Sequence, residues 1–369
     1  MGHAAGNAMR RLQPIAWVLC LILICPVNAF ALPEEVEDAL SPEARELLES
    51  TGQSEEGVPD LAEGLVNLWN TLCGQIGTLF RRNIGGAVTL LGIVLLCSLA
   101  EDCCKAGDGS RVLPVVPAAG AAAITMTAVG DLQSMMGVGV DAIEQLAVFS
   151  KALLPTLMAA VAAGGGAVSA GMRHVAAVFV TDVLITLIRQ LLLPLVYVYA
   201  AASAAAAFVA GKRLGSIAKA IRKGIGWLLS GILVLYTGYL TLAGAAASSA
   251  DRLALQVTKT AMGALPVVGS IISQAADTVV SGASLLKSTV GIAGTLAVLA
   301  MCLMPVLDLA IQYLLYKVTA FLSGTLGSEE LVELIDNLGG AFGLILGMTG
   351  ACATLLLIST ITSIMVVTG

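Results

Sequence analysis

Asp182 and Arg189 stand inside the apolar stretch from Val175 to Ala210, and Asp308 follows Met304-Pro305 near the end of another. In hydrocarbon a charge costs about 2.5–3.5 kcal/mol at mid-helix, so each of these residues marks a polar contact or a proton path. Asp182 and Arg189 are seven positions apart. On a helix that spacing sets them on one face, about 10 Å apart along the axis. Each is therefore expected to meet a partner on a different helix. Asp182 and Asp308 together could relay a proton. Packing contacts between helices, or charges at the membrane edge, are the preferred reading, because a transporter usually shows more ionisable groups and a matched pair of broken helices.

A second pattern is polar rather than charged. Across Ala264–Gly291, a helix starting near Pro266 sets Ser270, Ser273, Gln274, Asp277, Ser281, Ser284 and Ser288 in one stripe, about 100° wide. Val268, Ile271, Ile272, Ala275, Val279 and Leu286 cover the other side. Such a helix suits the outer membrane surface, or a face turned to water or to a partner inside an assembly. A third pattern is basic. Lys212, Lys219 and Lys223 fall opposite Leu214, Ile217, Ala218, Ile221 and Ile225. A helix of this kind can lie in the headgroup layer, each basic residue gaining about 1 kcal/mol beside anionic lipid. An ordinary positive loop is the plainer reading of the same residues.

No constellation for covalent, redox or metal chemistry stands out. The eight Cys include no C-x-x-C pair and no Cys/His cluster, so neither a zinc nor a redox site is expected. Gly164-Gly165-Gly166 lacks the G-x-x-x-x-G-K-[ST] frame of a phosphate loop and reads as a close-packing or hinge site. His174 is lone and follows Arg173. There is no H-E-x-x-H and no Ser/His/Asp arrangement. The expectation is a chain that is not an enzyme, with no catalytic, cofactor-binding or metal-ligating residues and no nucleic-acid partner.

The elements that must position these residues follow from composition. The chain has 369 residues, of which 57% are hydrophobic and 12% charged. A soluble globular chain carries about 25% charged residues, so lipid must be much of the solvent here. The 40 Gly fit a bundle whose helices approach closely. Residues 1–31 read as a signal peptide: Arg10 and Arg11, an apolar core Ile15–Ile24, then Ala29-Phe30-Ala31 as a cleavage site. Residues 32–83 form an acidic segment outside the cytoplasm, with a short helix over Pro42–Ser50 and an amphipathic stretch Leu61–Phe80. Residues 84–369 form the transmembrane domain.

A crossing needs about 20 apolar residues. The spans expected are Ile84–Ala100, Val112–Gly130, Ala152–Ala170, Val175–Ile188, Leu191–Ala210, Ile225–Ala247, Val290–Leu309 and Phe342–Val367. Arg189-Gln190 and Pro194 suggest a tight hairpin or a broken helix between two of them. The fold class is thus an all-α polytopic bundle of about seven to eight spans with amphipathic interfacial helices. The five basic residues between Gly211 and Gly226 set that segment in the cytoplasm. Counting from there puts the acidic segment, Ser248–Ser288 and the C-terminus outside. Arg81-Arg82 then fall on the outer side, against the rule.

The run Leu265-Pro266-Val267-Val268-Gly269, through Asp277-Thr278-Val279 to Leu285-Leu286-Lys287 and Val290-Gly291, resembles the hallmark segment of stage III sporulation protein AE. Phe179–Val198 and Pro305–Lys317 are similar as well, and the likeness extends from about Lys151 to the C-terminus. The resemblance implies an endospore-forming bacterium. It further implies a multi-pass subunit of a channel or secretion-like complex between mother cell and forespore, needed for late forespore development. It implies residence in the mother-cell-derived outer forespore membrane, with other subunits of that complex and the bilayer as partners. It assigns no catalytic residue or cofactor. A free-standing secondary transporter or permease is the alternative.

Overall fold

A peptide group in hydrocarbon has no water to bond, so a spanning segment must satisfy its backbone within itself, and a helix does so. The computed structural model describes residues 36, 38–42, 44–45, 61–106, 115–163, 167–209, 212–263, 269–325 and 329–365. Side chains within 105–114, 163–170, 173–174, 209–213, 243–289 and 362–369 lie outside that description. So do the expected signal peptide, Gly164–Gly166, and the side chains of His174, Lys212 and the polar stripe Ser270–Ser288.

Every regular element among the described residues beyond 60 is helical. They are α1 (Leu61–Ala106), α2 (Val115–Ala163), α3 (Ala167–Leu187), a π-helical turn (Ile188–Leu192), α4 (Leu193–Val209), α5 (Lys212–Gly263), α6 (Gly269–Ser323) and α7 (Glu329–Met365). Six stretches are long and apolar enough to cross a membrane: Gly64–Cys104, Val115–Ala162, Val175–Phe208, Leu214–Leu242, Val290–Ser323 and Glu329–Ile361.

Eight expected spans become six because two pairs merge. The described residues 115–130 of one expected span and 152–163 of the next share the single helix α2, through a middle carrying Asp131, Asp141 and Glu144. Val175–Ile188 and Leu191–Ala210 join through the π turn. Pro194 has no N–H, and its ring would press on the carbonyl of Gln190 in a regular helix. The turn opens instead, and the Leu193 N–H donates to the Ile188 carbonyl. The chain therefore stays helical where a hairpin or break was expected. Removing two crossings leaves the parity unchanged, so the orientation expected from the Lys and Arg bias is also unchanged. Arg81 and Arg82 lie within α1 rather than in a loop, so they no longer weigh against it.

α2, α6 and α7 form the inner layer, with 50%, 56% and 61% of their most apolar windows buried against 22–28% for the other spans. α7 packs against all of α2, α4, α5 and α6, while α1 lies chiefly over α2 and α6. Tyr199, Tyr236, Tyr316, Phe149 and Phe342 are fully buried. The Tyr316 and Phe342 rings tilt together with centroids 4.6 Å apart, a favoured aromatic geometry. The outer helices show their apolar side chains: on α5, Trp227 is 79% exposed and Leu235 75%. In water such a surface would aggregate; in lipid it is solvated.

Close approach in the inner layer depends on missing side chains. A Cβ on Gly139 of α2 would stand 2.5 Å from the Ile345 Cγ2 of α7. Gly137, two positions away, faces open space. Gly139→Val is expected to destabilise the bundle by about 1–3 kcal/mol through overpacking, whereas Gly137→Val should be close to neutral. Thermal midpoints of the two variants in detergent check this, and equal midpoints would contradict the packing described.

Candidate functional site

Asp308, Gln312 and Tyr316 recur every four residues on α6, so they share one face of that helix. Asp308 is almost fully buried, its side chain 5% exposed. Inside hydrocarbon a carboxylate requires a cation and donors, and α1 supplies both. Arg82 donates to Asp308 Oδ2 and forms an ion pair with it. Asn83 Nδ2 donates to Oδ1 at 2.6 Å. The next polar residues along the stripe turn to α2. Tyr316 Oη donates to Asp131 Oδ2 at 2.7 Å, and Gln312 Nε2 donates to the same oxygen at 3.2 Å. Gly86 of α1 makes room for that carboxylate, since a Cβ there would come within 2.7 Å of Oδ2. Three helices are thus joined by one polar network.

Two further contacts lie at other levels. Arg189, in the π turn, pairs with Glu144 of α2, the two side chains 46% and 48% exposed. Toward the turn between α6 and α7, Lys317 Nζ meets Asp336 Oδ1 at 2.5 Å and Lys219 Nζ meets Glu333 at 3.0 Å. Tyr199 Oη donates to the Asn337 carbonyl at 2.8 Å. The Tyr199 hydroxyl and the Arg222 guanidinium both crowd Gly340, at 2.6 and 3.2 Å from where its Cβ would be. Lys219–Glu333 is exposed on both sides and contributes about 0–1 kcal/mol. Its interest is positional, because it docks the start of α5 on the first turns of α7.

Of the residues singled out from sequence, Asp308 and Arg189 each meet a partner on another helix. Asp182 is exposed on α3 and has no ion pair among the described residues. Asp182 and Asp308 share no partner, so the described contacts do not join them into a relay. Lys219 and Lys223 are exposed near the start of α5, which runs on without a break into the following span. Sequence reasoning missed Arg82, Asn83, Asp131, Gln312 and Glu144. The i, i+4, i+8 recurrence of Asp308, Gln312 and Tyr316 was a signal that could have found the network. The misplaced Arg81-Arg82 pair was another.

The family model of stage III sporulation protein AE matches residues 54–369. The chain belongs to the stage III sporulation protein AE family. The match includes α1 and hence Arg82 and Asn83, so the whole polar network lies within the family region. Stage III sporulation protein AE of Bacillus subtilis (strain 168) is 26% identical over 249 residues, which cover 67% of this chain and 62% of that protein. The matched region thus spans less than two thirds of that relative's length. No solved structure matches the chain. The family ties this membrane-spanning helical protein to sporulation.

Removing one side of a buried ion pair leaves the other uncompensated, which costs about 3–5 kcal/mol in a fully buried case. Arg82 is 61% exposed, so Asp308→Ala is expected to cost less, about 1–3 kcal/mol. Arg82→Leu added to Asp308→Ala should recover part of that loss. A double-mutant cycle on detergent-solubilised protein measures the coupling, and strict additivity would show that the pair contributes nothing.

Proposed function

We propose that this chain is a structural, multi-pass subunit of a channel or secretion-like complex joining mother cell and forespore, required for late forespore development. The observation that carries this reading is the family match across residues 54–369, coincident with six helices able to cross a membrane. In this reading residues 1–31 direct export, and the protein resides in the outer forespore membrane. Its partners there are the other subunits of the complex. The exposed apolar surfaces of α1, α3 and α5 offer area to lipid and to those subunits alike.

The stripe Ser270, Ser273, Gln274, Asp277, Ser281, Ser284 and Ser288 lies along the first part of α6, before the span that begins at Val290. Small polar side chains such as serine let helices approach closely and hydrogen-bond across, which suits contact with another helix more than contact with lipid chains. Gln274→Leu combined with Asp277→Leu is expected to leave membrane insertion intact, abolish copurification with the other subunits and block spore formation. Membrane fractionation, pull-down from sporulating cells and spore counts read the three outcomes. Normal spores from the double variant would discard the stripe as a partner surface. The subunit reading itself fails if a deletion strain sporulates normally while the purified chain alone moves solute in liposomes. Such flux, lost in Asp182→Asn or Asp308→Asn, would mark a free-standing transporter.

A further inference from the structure

Arg81 is exposed on α1 and Asp141 is exposed on α2, and neither forms an ion pair among the described residues. Both lie deep within apolar helical stretches, Arg81 in Gly64–Cys104 and Asp141 in Val115–Ala162. Arg81 is 17 positions from one end of its stretch and 23 from the other, or about 25 and 35 Å. Phe80 and Val88, near it on α1, are exposed apolar residues. A charge on such a surface is costly unless a partner meets it.

The register between α1 and α2 sets the two charges at similar depth. A Cβ on Gly120 of α2 would stand 2.6 Å from the Cys97 Sγ of α1, and a Cβ on Gly86 of α1 would stand 2.7 Å from Asp131 Oδ2 of α2. These contacts run antiparallel, and they put Arg81 level with Met136 and Cys73 level with Glu144. Asp141 lies five residues past Met136, about 7.5 Å along the axis, a step that a long arginine side chain can bridge. Within one chain the two point apart. Arg81 is five positions from Gly86, a rotation of about 140°, so it turns away from its own α2. Asp141 is two positions from Gly139, which meets α7, and so lies about 160° round the helix from that contact. Both faces are also open. Gly77 and Gly85 flank Arg81 four positions to either side, Gly130 and Gly137 precede Asp141, and a Cβ on any of the four would meet nothing within 4 Å. Small residues of this kind let another helix approach closely.

We propose that a second copy of this chain covers these faces, the outer face of α1 in one copy seating on the exposed face of α2 in the next, with Arg81 pairing across to Asp141. The opposite charges select the occupant, because lipid chains would leave both of them unpaired. Copies related by an axis along the membrane normal keep every residue at its own depth, so the match in level within one chain carries over between chains. The two faces differ, so the contact is head to tail and builds a ring or an open row rather than a self-complementary pair. The contact goes beyond the subunit role and does not rest on it.

The full-length chain carrying Gln145→Cys, reconstituted in liposomes and mildly oxidised, tests the proposal. Gln145 is exposed on the α2 face, and native Cys73, exposed on α1, stands close to its level. Disulfide-linked dimers, trimers and larger species are expected, and Cys73→Ser should remove them. Added to Gln145→Cys, Arg81→Asp and Asp141→Arg should each lower the linked fraction about tenfold or more, because like charges then oppose each other across the contact. Combining the two reversals should restore linking. Should either reversal variant fail to insert, counting copies of the dye-labelled unaltered chain in liposomes at low protein-to-lipid ratio decides instead. Several copies moving together support the contact, and single copies overturn it. Undiminished linking in either reversal variant overturns it too, as does linking that stops at the dimer. In membranes of sporulating cells, linking to a different protein in place of a second copy also overturns it and gives the α2 face to that protein.

Discussion

Hydrocarbon supplies no hydrogen-bond partner, and that lack governs every level of this structure. It forces the backbone into helices, and it forces side-chain charges into pairs that cross from one helix to another. Asp308 illustrates the second effect. In water its carboxylate would be solvated wherever it lay. Buried between α1 and α6, it is held by Arg82 and Asn83, so the register of those two helices is tied to one residue. Because Arg82 keeps partial contact with its surroundings, the pair specifies how the two helices align more than it adds net stability over an apolar substitute.

Between such polar ties, the helices are held by contact rather than by burial from water. Lipid tails are as apolar as leucine, so association depends on fit. The glycines supply it. Gly139 admits Ile345, Gly294 admits Leu153, and Gly64 admits Leu296, each at a distance where a Cβ would collide. These sites join α2 to α7, α6 to α2 and α1 to α6. The high Gly content thus has a distribution as well as a total, with most of the tight positions where the inner layer meets itself or α1, and Gly340 where α7 meets Tyr199 of α4.

Much of the fold was legible because hydrophobicity is a local property. Among the described residues each apolar run is helical, and the basic residues Lys219, Arg222 and Lys223 lie near the start of α5 rather than in a separate loop. What escaped was continuity. Arg189-Gln190 and Pro194 read as an interruption, since the sequence alone does not show that a wider turn can absorb a proline. The polar middle of α2 likewise read as a gap between two spans. In the site, Asp308 announced itself as a charge in an apolar run, but its partner Arg82 is 226 positions away in sequence. Asp131 sits one residue past the expected end of a span, where an acidic residue looks like an ordinary boundary. Such pairings are fixed by packing, and no local spacing encodes them.

The π turn carries a geometric consequence for everything that follows it. A turn closed from Leu193 to Ile188 encloses one residue more than a regular helical turn. Side chains on α4 are therefore rotated by about 100° relative to an uninterrupted continuation of α3. That offset lets one crossing show two different faces along its length, α3 toward α2 and α5, α4 toward α5 and α7. In this phase Tyr199 donates to the Asn337 carbonyl. The extra residue acts as a phase adjuster, matching two stretches of neighbours that no single straight rod could serve.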